Sequence, residues 1–271
     1  MELVDTHCHI QSLGSSSGEK VTRSLWAKAD DLTADGVIKD AVDGGVTKMI
    51  CVGCSLEDSE LAVGFVQSYE SCYASIGIHP HESQNYVNAP DKLRQFRNLA
   101  GRDKVVAIGE CGLDYYYEHS PKKDQQKILR FQLELAKEHD LPLIFHVRDA
   151  FEDFWPIFDE FDGLRGVIHS FSANIAHLNE ILSRGLYVGL NGIMTFTKDK
   201  QQLEAAKAVP LDKLVLETDA PFLTPVPFRG TICQPKHVLE TAKFLCHHRG
   251  ETLEELSRAT STNAKELFGI K

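Results

Sequence analysis

The chain has 271 residues, 42% hydrophobic and 25% charged, with 19 glycines and 10 prolines. These values exclude disordered, collagen-like and low-complexity classes and fit one large domain or two small ones. Asp and Glu outnumber Lys and Arg by 39 to 29, a formal net charge of −10. An unaided electrostatic grip on nucleic acid or anionic lipid is thereby excluded, whereas a phosphate-bearing substrate remains compatible if metal ions supply positive charge locally.

The opening residues Met1–Asp5 lack a basic region and a long apolar core, so no secretory signal is expected. No apolar run approaches the ~20 residues of a membrane span. Seven cysteines is an odd number, and several stand in apolar segments such as Met49-Ile50-Cys51-Val52. That pattern predicts reduced thiols in a cytoplasmic protein and no disulfide framework. Cys51 and Cys54 form a C-x-x-C without a second pair at zinc-site spacing, so strand-end packing is expected of them.

Short apolar, often β-branched runs recur along the chain and predict strands over Leu3–His9, Lys48–Cys54, Cys72–His79, Val105–Glu110, Pro142–His146, Gly166–His169, Leu186–Leu190 and Lys213–Asp219. Gln11–Asp35, after the first run, reads as one long irregular stretch. Helix-length segments lie between most of the other runs. The clearest is Pro121–His139, where Ile128, Phe131 and Leu135 recur at helical spacing. Near the C-terminus, Thr252 with Glu255 and Asn263 with Glu266 have the spacing of capping boxes, and Gly250 and Gly269 stand where helices stop. Eight strands alternating with helices in a chain near ~250 residues predict a single-domain (β/α)8 TIM barrel over residues 1–271. An open doubly wound sheet would bring a Gly-rich phosphate loop after its first strand. Here that strand ends in His7-Cys8-His9 instead.

His7 and His9, two apart on a strand, share a face, which in a barrel is the interior near its mouth. The fourth run ends in Glu110, the fifth in His146, the sixth in His169 and the eighth in Asp219. Four imidazoles and two carboxylates buried without partners would cost about 1–3 kcal/mol each, and divalent metal removes that cost. Six ligands exceed one catalytic site of three protein ligands and a water, so two ions are expected. His7, His9 and Asp219 are assigned to one, His146 and His169 to the other, and Glu110 to both. Ions roughly 3.5–4 Å apart would share a hydroxide nucleophile and polarise a substrate oxygen. Asp219 then doubles as general base.

Neighbouring residues have two readings each. Asp5 and Glu217 share parity with His7 and Asp219 one layer deeper, where they either orient ligands or form a separate polar network. Arg148, two beyond His146, is a phosphate clamp or a surface ion pair. His79 and His81 end the third run, with one of them expected on substrate. Arg229 is a second anion contact or a solvated loop charge. Tyr115-Tyr116-Tyr117 either stack on a base or pack a loop. Cys246-His247-His248 is expected to be surface or core.

At these residues the chain resembles the TatD family of metal-dependent deoxyribonucleases, within the amidohydrolase-like barrels. The resemblance runs nearly end to end, through Asp5-Thr6-His7-Cys8-His9, Gly77-Ile78-His79-Pro80-His81, Ala107–Tyr115, Leu141–Arg148, Gly166–Ser172, Glu217–Pro225 and Thr262–Gly269. It implies a barrel with two divalent ions, Mg²⁺ or Mn²⁺ in function, where the imidazole-rich ligand set also suits Zn²⁺. It implies phosphodiester hydrolysis on single-stranded DNA ends, exonucleolytic from the 3′ end, with no membrane or obligate protein partner. The family's metal positions fall on the six residues above, and its phosphate-contacting histidine falls on His79. The chain departs from the family at Gln11, where an Asp is usual, and in the longer stretch to Asp35. In the strand-eight loop, Arg229-Gly230-Thr231-Ile232-Cys233-Gln234-Pro235 lacks the usual Lys and Asn.

Two other functions compete. A related barrel hydrolase would act on a C–N or C–O bond of a small molecule, but many such barrels bridge their metals with a modified Lys, where this chain has Glu110. A non-enzymatic, metal-stabilised interaction protein would have a closed, fully protein-ligated site.

Overall fold

The computed structural model describes residues 1–29 and 31–271. The strands are β1 (Leu3–Cys8), β2 (Val46–Val52), β3 (Cys72–Ile76), β4 (Val105–Asp114), β5 (Leu143–Arg148), β6 (Gly166–Ile168), β7 (Tyr187–Leu190) and β8 (Leu214–Leu216). The helices are α1 (Lys20–Trp26), α2 (Ala34–Asp43), α3 (Leu56–Val66), α4 (Pro90–Ala100), α5 (Lys122–His139), α6 (Phe151–Phe158), α7 (Ile175–Ser183), α8 (Lys200–Ala208), α9 (Val238–Arg249) and α10 (Leu253–Phe268).

Every strand pairs in parallel with its sequence neighbour, in the order β1 to β8. Such pairing requires crossovers, which the intervening helices supply. β8 returns to β1 through a bridge between Cys8 and Ala220, and the Asp219 N–H donates to the His7 carbonyl at 2.8 Å. The expected (β/α)8 barrel is therefore the observed fold. All ten residues of β4 and all six of β1 are buried, so their polar members Asp5, Thr6, His7, Glu110 and Asp114 are enclosed with the apolar ones.

The α5 helix follows the predicted segment, burying Ile128, Leu129, Leu133, Leu135 and Ala136. Phe131 is only partly buried, with the Arg97 guanidinium 5.1 Å from its ring centre. The Thr252–Glu255 capping box opens α10, and Gly250 and Gly269 close α9 and α10 in left-handed conformations. The second expected box is not one. Asn263 lies inside the continuous α10 helix, where its Nδ2 donates to the Leu211 and Leu214 carbonyls at 2.8 and 2.7 Å. A tertiary bond to the base of β8 uses the side chain that a helix start would need.

The Gln11–Asp35 stretch is less irregular than expected. It contains α1, capped by Glu19 accepting from the Thr22 N–H at 2.6 Å, and its end, Asp35, is already in α2. Asp30 lies outside the described residues. The fully buried Trp26 donates from its indole nitrogen to the His9 carbonyl at 3.0 Å, which fixes the insertion against β1. No helix among the described residues is long and apolar enough to cross a membrane.

Candidate active site

The C-terminal ends of the strands open into a cavity of about 1470 Å³, the face at which barrel enzymes hold their chemistry. The side chains at its floor converge on two carboxylates. Glu110 Oε2 lies 3.4 Å from His7 Nε2, while its Oε1 lies 2.8 Å from His146 Nδ1, 3.7 Å from His79 Nε2 and 3.9 Å from His169 Nε2. Asp219 Oδ1 lies 3.4 Å from His9 Nε2, 3.7 Å from His7 Nε2 and 4.0 Å from His169 Nε2. All six residues expected from strand ends meet in one cluster.

Within the cluster, Asp219 lies beside His7 and His9, and Glu110 reaches His7, His146 and His169. Mutually close donor sets are His7, His9 and Glu110; His7, His169 and Asp219; His79, Glu110 and His146; and His9, Cys54 and Asp58. The His169 ring stacks on that of His7 at 3.5 Å, and the His146 ring meets that of His79 at 4.6 Å.

Glycines hold Glu110 where it is. Gly109 has φ +149°, and a Cβ there would sit 2.5 Å from the Ile144 carbonyl oxygen. Gly112, at φ +148°, has its Cβ direction filled by the His146 carbonyl. Only glycine permits β4 and β5 to approach this closely. On the opposite wall Asp219, a non-glycine residue, has φ +61°, a strain of about 1–3 kcal/mol that the surrounding hydrogen bonds sustain.

The imidazoles are oriented from behind. His9 Nδ1 lies 2.9 Å from the Val52 carbonyl, and His169 Nδ1 is in ion-pair contact with Glu217 Oε1 at 3.0 Å, off the alignment of a hydrogen bond. Each leaves Nε2 facing the centre. Glu217, half of the expected pair of orienting carboxylates, thus has that contact. Asp5 instead accepts from the Thr218 N–H and hydroxyl at 2.8 and 2.6 Å and orients the backbone before Asp219. Asp114, which the sequence reading passed over, lies 2.9 Å from His146 Nε2 and 3.1 Å from His81 Nε2. Its signal was parity, since it stands four residues beyond Glu110 on the same strand face. Asp58 was also missed; fully buried, it accepts from the Cys54 N–H at 3.0 Å and lies near the Gln11 amide. Cys54 does more than pack a strand end, for its Sγ is 3.8 Å from Glu110 Oε2.

Burial opposes ionisation of Glu110, but His79, His146 and His7 outweigh it and hold the carboxyl well below the usual range. Asp219 is lowered in the same way, against burial, by His9, His169 and His7. Burial also opposes charge on His9, His146 and His169, yet their carboxylate neighbours raise each to about 9. His7 is lowered, chiefly by burial and then by His169. Burial pushes Asp5 up to about 8.

His7 supplies the test of fit for a metal. Both of its ring nitrogens are buried without a hydrogen-bond partner. A neutral imidazole always has one N–H and one lone pair to satisfy, at about 1–3 kcal/mol for each left unmade. A cation taking that lone pair, among carboxylates held ionised, fits this donor set of nitrogen and oxygen atoms.

Arg148 and Arg229 part company. Arg148 lines the cavity rim, its guanidinium 4.2 Å from the centre of the Tyr116 ring. Arg229 covers the Phe196 ring at 3.9 Å and donates to the Thr224 carbonyl at 2.8 Å, outside the residues that line the cavity. In the same loop Cys233 is fully buried and the Thr231 carbonyl accepts from Thr224 at 2.7 Å. Glu19, Val21 and Thr22 bring the insertion to the cavity mouth. His248 binds the Leu203 carbonyl and stacks on Phe244, as a packing residue.

A closed parallel barrel with a histidine–carboxylate cluster at the C-terminal ends of its strands defines a metal-dependent hydrolase. The family of TatD-related DNases matches residues 4–269, and the chain belongs to the TatD family. It is 35% identical over 270 residues to a protein of Bacillus subtilis named as the uncharacterized metal-dependent hydrolase YabD, covering 99% of both chains. It is 33% identical over 261 residues to the Escherichia coli 3′-5′ ssDNA/RNA exonuclease TatD, covering 93% of this chain and 98% of that one. The crystal structure of the Escherichia coli TatD homologue YJJV superposes with a TM-score of 0.86 at 26% identity, covering 99% and 98% of the two chains.

Proposed function

We propose that the protein is a phosphodiesterase that removes nucleotides from the 3′ ends of single-stranded DNA, with two divalent ions as cofactor. The observation that carries this reading is the convergence of six strand-end residues with metal-ligating side chains at an open cavity whose rim includes Arg148. The name borne by the Escherichia coli relative supports the choice of a nucleic-acid substrate.

His7, His9, Glu110, His146, His169 and Asp219 would hold the ions, with Glu110 shared. Bound there, Mg²⁺ or Mn²⁺, or Zn²⁺ in view of the imidazoles, supplies Lewis acidity and a water-derived nucleophile at neutral pH. The protein's own groups do the rest. Asp219, held ionised, accepts the proton of the attacking water. Glu217 and the Val52 carbonyl keep His169 and His9 presented through Nε2. Arg148 binds a non-bridging phosphate oxygen, and its guanidinium edge suits that geometry. His79, 14% exposed beside Glu110, stands where a phosphate oxygen would meet it. The net charge of −10 makes these local cations the means by which an anionic chain is held. Seven free cysteines, six of them buried, accord with a reducing cytoplasmic setting.

The test is digestion of 3′- and 5′-labelled single-stranded oligonucleotides with Mg²⁺, Mn²⁺ or Zn²⁺, against an EDTA control and parallel amide and lactone substrates. Stepwise loss from the 3′ end with metal alone is expected. Turnover of the amide or lactone without oligonucleotide cleavage would overturn the reading.

A further inference from the structure

The cavity rim carries a wall of rings that the mechanism above leaves unused. Tyr116 and Tyr117 follow β4 and are 59% and 51% exposed. Their backbone N–H groups donate to Asp114 Oδ1 at 3.0 and 2.9 Å. A buried carboxylate thus pins the turn while the rings stay in solvent. Tyr115 differs, since its hydroxyl binds Asp153 at 2.8 Å and Lys122 covers its ring at 4.2 Å. The Arg148 guanidinium lies 4.2 and 4.8 Å from the Tyr116 and Tyr117 ring centres and makes no ion pair with any described residue. The rings form a continuous path inward. Tyr117 is parallel to His119 at 5.8 Å, His119 meets His81 at 4.5 Å, His81 meets His79 at 4.3 Å, and His79 meets His146 at 4.6 Å. One end of this path is beside Glu110 and the other is in open solvent.

We propose that Tyr116, Tyr117 and Arg148 form a stacking subsite for a nucleobase adjacent to the phosphodiester held at Glu110 and Asp219, an inference that rests on the phosphodiesterase reading above. Every base presents a π face, which a tyrosine ring or a guanidinium plane accepts without regard to base identity. The guanidinium edge stays free for the neighbouring phosphate. A base inside a duplex has both faces covered by its neighbours, so the subsite selects single strands. It thereby supplies strand-state specificity that the metal cluster, acting on phosphate alone, lacks.

The experiment walks one baseless tetrahydrofuran residue inward from the 3′ end of a single-stranded oligonucleotide, with Mn²⁺ present. At one position, loss of the base raises KM by about 5- to 100-fold in the wild type. The Tyr116→Ala/Tyr117→Ala variant shows that rise on the intact oligonucleotide and no further rise at that position. Tyr116→Phe/Tyr117→Phe, which keeps the rings, restores wild-type behaviour. A 2-aminopurine at the same position is quenched on binding to the wild type and the Phe variant, and remains bright with the Ala variant. Uniform tolerance of baseless residues by a protein that does hydrolyse the intact strand would overturn the subsite, and the wild-type walk decides this even if the Ala variant fails to fold. Hydrolysis of no oligonucleotide under any metal would instead bring down the phosphodiesterase reading.

Discussion

Glu110 touches more of the cluster than any other side chain, with His7, His79, His146 and His169 all within 3.9 Å of its oxygens. Removing it leaves these imidazoles without their shared counter-charge and the proposed ions without their bridge. Glu110→Ala is expected to lower both metal affinity and turnover by more than about 100-fold, since even residues one step removed from a metal are worth 10–100-fold. Metal content by elemental analysis and kcat on an oligonucleotide measure the two, and wild-type turnover would refute the shared role. Glu217 is such a one-step residue, and Glu217→Gln keeps its size while removing the charge 3.0 Å from His169 Nδ1. A loss of about 10- to 100-fold in metal affinity by calorimetric titration is expected; unchanged affinity would make Glu217 a packing residue only. At this scale the six residues of the cluster were legible because each stands at the end of an apolar run, where an unpaired polar group is costly. Asp114 was not, because β4 runs four residues past the point where its apolar pattern was taken to stop. Arg229 looked like an anion contact because charge and a following glycine say nothing about the Phe196 ring that holds it.

Elements were legible in proportion to how far their pattern reflected burial alone. The alternation of strands and α5 followed from apolar spacing. The helix α1 did not, since its seven residues bury only Thr22 and Trp26 and so leave little periodic trace. Asn263 has a helix-start spacing with Glu266 yet acts as a tether from α10 to the segment leading into β8. Asn263→Ala leaves two carbonyls without donors, about 1–3 kcal/mol. For a chain of this size the melting midpoint should fall by about 2–10 °C, read by circular dichroism; an unchanged midpoint would mean that the tether carries no stability. The loop after β8 offers a pH test away from the metal cluster. His237 Nδ1 accepts the Gln234 N–H at 3.1 Å, and its ring stacks on Phe228 at 4.9 Å. Burial, then Lys236, lower its pKa to about 4 from 6.5. As pH falls through 6.5 the unfolded chain takes up this proton before the folded one does. The stability tied to neutral His237 is therefore complete above about pH 6.5, lost progressively toward pH 4, and not lost further below. A titration of the His237 ring by NMR should have its midpoint near 4, and a midpoint near 6.5 would contradict the burial argument.

The whole molecule gathers negative charge where it can least be solvated. Asp58, Glu110, Asp114 and Glu217 are all buried near the C-terminal end of the barrel, with Asp219 beside them, in a chain already at −10. Imidazoles offset part of this, yet His7 retains two unsatisfied ring nitrogens. The folded state thus has a cation site that the unfolded chain lacks, and binding must stabilise folding by mass action. At a free metal concentration about 100 times the dissociation constant the gain is about 2.7 kcal/mol, equivalent to about 5–10 °C in melting midpoint for a chain of this length. Protein stripped with EDTA and then supplied with Mn²⁺ should show this rise in differential scanning calorimetry, in the absence of any substrate. A Glu110→Ala/Asp219→Ala variant should melt at the same temperature with and without the ion, because it lacks both carboxylates on which the imidazoles converge. A full metal-dependent rise in that variant would locate the stabilising ion elsewhere in the barrel.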